Sequence, residues 1–132
     1  RINTFDPKSY QDWSPKKIKE LATRQKFLLR SAVLATKLGG TIVYATCTLS
    51  PEENESVVDW VLKKEHGHIE LAPLVIPNLT LSEGLTQWQK KKFDPTMQYT
   101  ARVYPSTSME GFFIAKIKKL QSTLHNLKSF SY

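Results

Sequence analysis

The apolar positions fall into two helical stripes and a few strand-like runs. Ile18, Leu21, Ala22, Gln25, Leu28, Leu29, Ala32, Ala35 and Leu38 recur at the three-and-four spacing of one helix face. Ser14-Pro15 precedes them with a capping hydroxyl and a residue whose missing N–H is harmless at the first helical position, and Gly39-Gly40 closes the run. Next, Thr41 to Thr46 is apolar and β-branched almost without alternation, which predicts an interior strand of a parallel sheet covered on both faces. Ser50-Pro51-Glu52-Glu53 has capping-box spacing and first-turn acids, predicting a second helix with Val57, Val58, Val61 and Leu62 inward, Lys63 and Lys64 in its last turn and Gly67 as its stop.

Downstream the pattern is more broken. Ile69 to Leu71 reads as a short strand before Pro73 and Pro77, and Lys90-Lys91-Lys92 forms a basic run between Trp88 and Phe93. Tyr99 to Tyr104 and Phe112 to Lys118 predict an antiparallel hairpin joined by a loop from Pro105 to Gly111. Arg1 to Trp13 reads as loop, and Gln121 to Tyr132 as a polar tail that frays or forms a loose helix. The sequence of helix, buried strand, tight turn, helix and hairpin is that of an α/β layered protein.

Composition narrows this further. With 132 residues, 40% hydrophobic and 23% charged, the chain suits one globular core, and no apolar run approaches the ~20 residues of a membrane helix. A single cysteine, Cys47, excludes an internal disulfide, argues against a cysteine-ligated zinc, and fits a reducing, cytoplasmic setting. Nineteen basic residues against twelve acidic give +7. The first residue is Arg1, and neither an initiator Met nor a signal segment stands before the fold, so the chain reads as beginning inside something longer.

Cys47 is the first candidate for chemistry. It lies in Thr46-Cys47-Thr48, between the end of a strand and the start of a helix, where ligands collect in open α/β sheets and where a helix start favours a thiolate. On location alone a lone cysteine reads more readily as a small buried hydrophobe. Asn54 and Glu55 read from spacing as ordinary exposed first-turn residues. His66 and His68 would be needed for a cysteine hydrolase, but sit in a helix-ending turn, and no metal-ligand spacing is present. Lys16 and Lys17 oppose the dipole of the first helix, which hints at an external anion. Lys90, Lys91 and Lys92 with Trp88 and Phe93 combine charge and stacking surface as single-stranded nucleic-acid binders do, with a solvated charged face as the alternative.

These residues carry a resemblance. Trp13-Ser-Pro15, Gln25, and Gly39 through Thr46-Cys47-Thr48 to Pro51-Glu-Glu-Asn54-Glu55 resemble the C-terminal half of the catalytic domain of Nop/Sun (Fmu-like) RNA cytosine-5 methyltransferases, and Arg102-Val-Tyr-Pro105 with Glu110 to Ala115 resembles its closing hairpin. The resemblance implies a Rossmann-like S-adenosylmethionine-dependent methyltransferase fold, present as its C-terminal half over residues 1–120, with residues 121–132 as tail. It implies that Cys47 adds to carbon 6 of cytosine, that carbon 5 then takes a methyl group from S-adenosylmethionine, and that a base removes the carbon 5 proton before the cysteine leaves. By the same resemblance Thr46, Thr48, Asn54 and Glu55 order the turn and help position the base. Arg102 takes a structural or RNA-backbone role, and Gly111 serves the hairpin turn. The implied partner is ribosomal or transfer RNA, unstacked at the target base.

The family's glycine-rich cofactor turn, the acidic residue on its next strand and an Asp-x-Pro-Cys motif are absent from the sequence. The expectation is therefore a fragment starting just after that last motif, inactive alone, whose Thr41–Thr46 strand lacks its neighbour. That edge would pair with a second copy or with the missing half. The alternative function is a basic RNA-binding module that keeps the half-fold without catalysis.

Overall fold

The computed structural model describes residues 7–11 and 13–123. Helix α1 runs Pro15–Ala35, strand β1 Thr41–Thr46, helix α2 Glu55–Lys64 and β2 Ile69–Ala72. The short strands β3 (Ser82–Glu83), β4 (Gln87–Trp88) and β5 (Lys91–Lys92) follow, then β6 (Ala101–Val103) and β7 (Phe112–Lys119). One-turn 3₁₀ helices occupy Pro7–Tyr10, within the stretch read as loop, and Pro95–Tyr99, which takes Tyr99 out of the expected strand. Asp94 explains the second: its carboxylate accepts from the Thr96 amide at 2.9 Å and hydroxyl at 2.6 Å. The tail beyond Thr123 lies outside the described residues.

Strand β7 organises the sheet. Its residues 113–118 pair antiparallel with β1 from Thr46↔Phe113 to Thr41↔Lys118. The other edge of β7 is shared by β6, in the expected hairpin register (Ala101↔Ile114), and by β2 (Leu71↔Ile117), while β3 extends the sheet beyond β6. Strand β1 is thus an edge strand with an antiparallel neighbour, not the interior parallel strand that its β-branched run suggests. Its far edge pairs with nothing among the described residues. Alternate residues divide the faces. Ile42 and Tyr44 turn inward with Phe113, Ala115 and Ile117, while Val43 is 62% exposed on the other side.

Both helices cover the inner face. Ala22, Leu29 and Val33 of α1 and Val57, Val58, Val61 and Leu62 of α2 join the sheet residues in one core, and Phe27 meets Trp60 edge-to-face at 5.7 Å. The buried stripe of α1 is rotated from the expected one: Leu28, Ala32 and Ala35 are exposed, whereas Arg30 is buried on an ion pair to Glu65 at 2.7 Å.

Helix α1 also stops four residues before Gly39. Lys119, inward-facing at the end of β7, is 4% exposed and donates to the carbonyls of Val33, Leu34 and Thr36 at 2.6–3.2 Å. A cation satisfying the last carbonyls of a helix suits its dipole and ends it there. Gly40 then allows the tight return into β1, because a Cβ would lie 2.5 Å from Thr36 Cγ2.

Candidate active site

Strand β1 delivers Cys47 at its own carboxyl end, beside the Phe113 end of β7, and leaves it exposed. The thiol lines a cleft of about 620 Å³. Trp13, Lys17, Ile18 and Leu21 from the start of α1 form one wall, Thr48–Ser50 and Glu53 the floor, and Pro105, Met109 and Gly111 from the β6–β7 loop the other wall. Ser14 caps α1 by accepting from the Lys17 amide at 3.1 Å, which fixes that wall.

The turn holding Cys47 is clamped from below. Helix α2 begins at Glu55, later than the Ser50 start implied by the capping-box spacing, with Asn54 at its N-cap. Asn54 does not cap. Its fully buried amide instead donates Nδ2–H to the Thr48 carbonyl at 2.9 Å and accepts from the Thr46 hydroxyl at 2.5 Å, bracketing Cys47 on both sides. Ser50 uses its hydroxyl on Glu52 Oε2 at 2.9 Å, which is why the helix start moves on.

Glu55 is not an exposed first-turn residue either. Both of its carboxylate oxygens bind Arg102, Oε1 to Nε at 2.6 Å and Oε2 to Nη2 at 2.7 Å, and Oε1 also takes the Leu85 amide at 3.0 Å. Arg102 also donates from Nη1 to the Leu49 carbonyl at 2.9 Å. Burial works against the Arg102 charge, but the two-pronged hydrogen bond to Glu55 outweighs it and holds the guanidinium charged. Four segments thus meet on one buried ion pair beneath the Cys47 turn. Arg102 is 3% exposed and holds the turn from below. Losing one member of such a pair costs about 3–5 kcal/mol.

Glu53, which composition and spacing did not single out, is 7% exposed and lies in the cleft. Gln25 of α1 donates to its Oε1 at 3.0 Å, and Tyr44 donates to its backbone carbonyl at 2.7 Å. Burial and the Glu53 charge keep the Tyr44 phenol far above its usual range, and so protonated. The signal was present in the sequence, since Gln25 is the one polar residue in the apolar stripe of α1. Gly111 serves close packing, with a Cβ there falling 3.2–3.3 Å from Pro105 and Leu49 side-chain carbons.

The other candidates separate. Lys17 belongs to the cleft, while Lys16 faces a second groove on α1. Lys91 and Lys92 form β5, paired with β4, and Lys90 is in the turn between them. His66 and His68 lie where β2 begins, at the Lys119 end of β7, and Cys47 follows the Phe113 end. Six residues of strand separate those ends by roughly 20 Å, so neither histidine can activate the thiol. No group of three or more potential metal ligands exists among the described residues.

Gly39, Gly40 and Gly67 sit at the far end of the sheet from Cys47, and the space a Cβ would need at Gly84 and Gly111 is filled by this chain's own atoms.

Comparison with known proteins gives the site its context. The family model described as 16S rRNA methyltransferase RsmB/F matches residues 6–118. The chain is 42% identical to a mouse 28S rRNA (cytosine-C(5))-methyltransferase over 90% of its own length and 15% of that protein's. It is 38% identical to the tRNA (cytosine(49)-C(5))-methyltransferase of Pyrococcus abyssi, covering 81% of this chain and 34% of the relative. A methyltransferase homolog protein from Pyrococcus horikoshii superposes with a TM-score of 0.72 at 36% identity, over 82% of this chain and 34% of that one. The chain therefore spans about a third or less of these relatives, and its strand, turn and helix around Cys47 are an α/β methyltransferase arrangement. The match over residues 6–118 places this chain in the RsmB/F family of RNA cytosine-C5 methyltransferases.

Proposed function

We propose that this chain is the nucleophile-bearing, C-terminal part of the catalytic domain of an S-adenosylmethionine-dependent enzyme that methylates carbon 5 of cytosine in ribosomal or transfer RNA. The observation that carries the reading is Cys47, exposed in a cleft on a turn bracketed by the Asn54 amide. Carbon 5 of cytosine is a weak nucleophile. A thiolate adding to carbon 6 forms a C–S bond and moves the ring's electron pair onto carbon 5, which can then attack an electrophilic carbon. When carbon 5 later loses its proton, the same electrons expel the thiolate and restore the ring.

The chain's own residues supply the nucleophile and its aim. Thr46, Thr48 and Asn54 fix the turn, the Glu55–Arg102 pair fixes its base, and Trp13 and Met109 offer apolar walls for an unstacked base. The methyl donor's site is assigned to the remainder of the enzyme, so the isolated chain binds no cofactor and turns over no substrate. That remainder also supplies the neighbour for the open edge of β1. A cytoplasmic location suits the free thiol, and no helix among the described residues is long and apolar enough to cross a membrane.

In the intact enzyme, Cys47→Ser should abolish methyl transfer, because a hydroxyl is a far weaker nucleophile at neutral pH. Measured with tritiated methyl donor and unmodified RNA, near-normal turnover by this variant would refute the assignment. A non-catalytic RNA-binding module is the second reading, favoured by the net charge of +7. Transfer by the intact wild-type enzyme excludes it.

A further inference from the structure

We propose that the β4–β5 hairpin is a docking platform for the single-stranded RNA that flanks the target base, with Trp88 as its stacking surface and Lys90, Lys91 and Lys92 as its phosphate contacts. This rests on the RNA reading above and adds to it where the strand runs after leaving the cleft.

The hairpin is built to stand out from the core. Phe93, 6% exposed, anchors its base, where the Phe93 amide donates to the Thr86 carbonyl at 3.0 Å. Gln89 takes a left-handed φ of 53° at the tip, and the Gln87 side chain donates to its carbonyl at 3.1 Å. Nothing in β4 or β5 enters the core, and a tryptophan there is still 40% exposed. Four consecutive residues, Gln89 to Lys92, carry three exposed cations beside that ring.

Position relative to the cleft is set by two hydrogen bonds. Trp88 Nε1 donates to Glu52 Oε1 at 3.2 Å, and Ser50, a residue of the cleft floor, donates to Glu52 Oε2 at 2.9 Å. The indole is therefore one side chain away from the rim of the Cys47 cleft, within the reach of a nucleotide or two next to the target. Lys91 leans onto α2, donating to Ser56 at 3.2 Å with its ammonium 5.5 Å from the Phe93 ring centre. It also lies near Lys26 of α1, whose ammonium is held below its usual pKa first by burial and then by the Lys91 charge. The Glu52 carboxylate beside the hairpin is occupied by Ser50 and Trp88, and those of Asp94 and Asp59 at its base by Thr96 and by Lys63. Crowded cations beside an exposed aromatic ring suit a polyanion with stackable bases, and a duplex would not offer the bases.

The test is fluorescence anisotropy of a labelled, unstructured RNA of about twelve nucleotides titrated with this chain over a series of salt concentrations. Lys90→Gln/Lys91→Gln/Lys92→Gln should weaken binding ten-fold or more and flatten the salt dependence by about two ions, at ~0.7 per phosphate contact on single strands. Trp88→Ala should cost about ten-fold with the salt slope unchanged, and Trp88→Phe should recover most of it. Lys37→Gln/Lys116→Gln/Lys118→Gln, the same charge removed from α1's end and β7, should cost much less. Circular dichroism checks that each variant folds. Equal losses for the two triple variants, or none for either, overturn the hairpin assignment alone. Wild-type chain that binds single-stranded RNA no more tightly than duplex of equal length overturns the RNA reading beneath it.

Discussion

Asn54 concentrates the link between sequence and chemistry. An asparagine at a helix N-cap ordinarily accepts from the helix's own first-turn amides, worth about 1 kcal/mol. Here that stabilisation is forgone, and the amide spans the turn instead, holding Thr46 and Thr48 on either side of Cys47. Asn54→Ala leaves the buried Thr48 carbonyl without this donor, a cost of about 1–3 kcal/mol. It should also lower methyl transfer by the intact enzyme roughly a hundred-fold, since a nucleophile displaced by about 1 Å loses on that order. Thermal denaturation and single-turnover rates measure the two effects. A rate within two-fold of wild type would show that the turn holds its shape without the clamp.

At the scale of elements, the hairpin and the turn that leads into α2 are joined through Glu52, and that joint titrates. Partial burial pushes the Glu52 carboxyl up, but its own backbone amide, the Ser50 hydroxyl and the Trp88 indole together outweigh burial and hold it below its ordinary 4.5. A folded-state pKa below the unfolded one means the contact stabilises above the ordinary carboxylate range and is lost as pH falls through the lowered value. The Trp88 indole N–H resonance should therefore shift with a midpoint below 4.5, and a midpoint at or above 4.5 would mean the contact does not form in solution.

Much at this scale was legible in the sequence. Periodicity located α1, β1, α2, β2 and the β6–β7 hairpin, because each buries its apolar face locally. It failed where a tertiary partner decided the outcome. The α1 stripe is rotated because Arg30 finds Glu65, and the helix ends early because Lys119 takes its carbonyls. The β4–β5 hairpin was invisible because its strands are two residues long. Glu55 and Arg102 were found by resemblance, yet their pairing across 47 residues has no local trace.

For the molecule as a whole, the decisive features are a β1 edge left unpaired among the described residues and the cleft that exposes Cys47. Strand β1 pairs only with β7 among the described residues, and Val43 beside that edge is 62% exposed, a surface that invites another strand. On the proposal that this chain is one part of a longer enzyme, copies of it alone should associate, and size-exclusion chromatography with light scattering should find species larger than a monomer in the micromolar range. A stable monomer throughout that range would mean the edge is protected. The central claim, that Cys47 attacks carbon 6 of cytosine, is tested most directly by trapping. With fluorine at carbon 5 there is no proton to lose after methyl transfer, so the thiolate cannot leave. Intact enzyme incubated with methyl donor and RNA containing 5-fluorocytidine should give a covalent protein–RNA adduct that peptide mass spectrometry places on Cys47 and that Cys47→Ser abolishes. An adduct on another residue, or one that survives that substitution, would contradict the account.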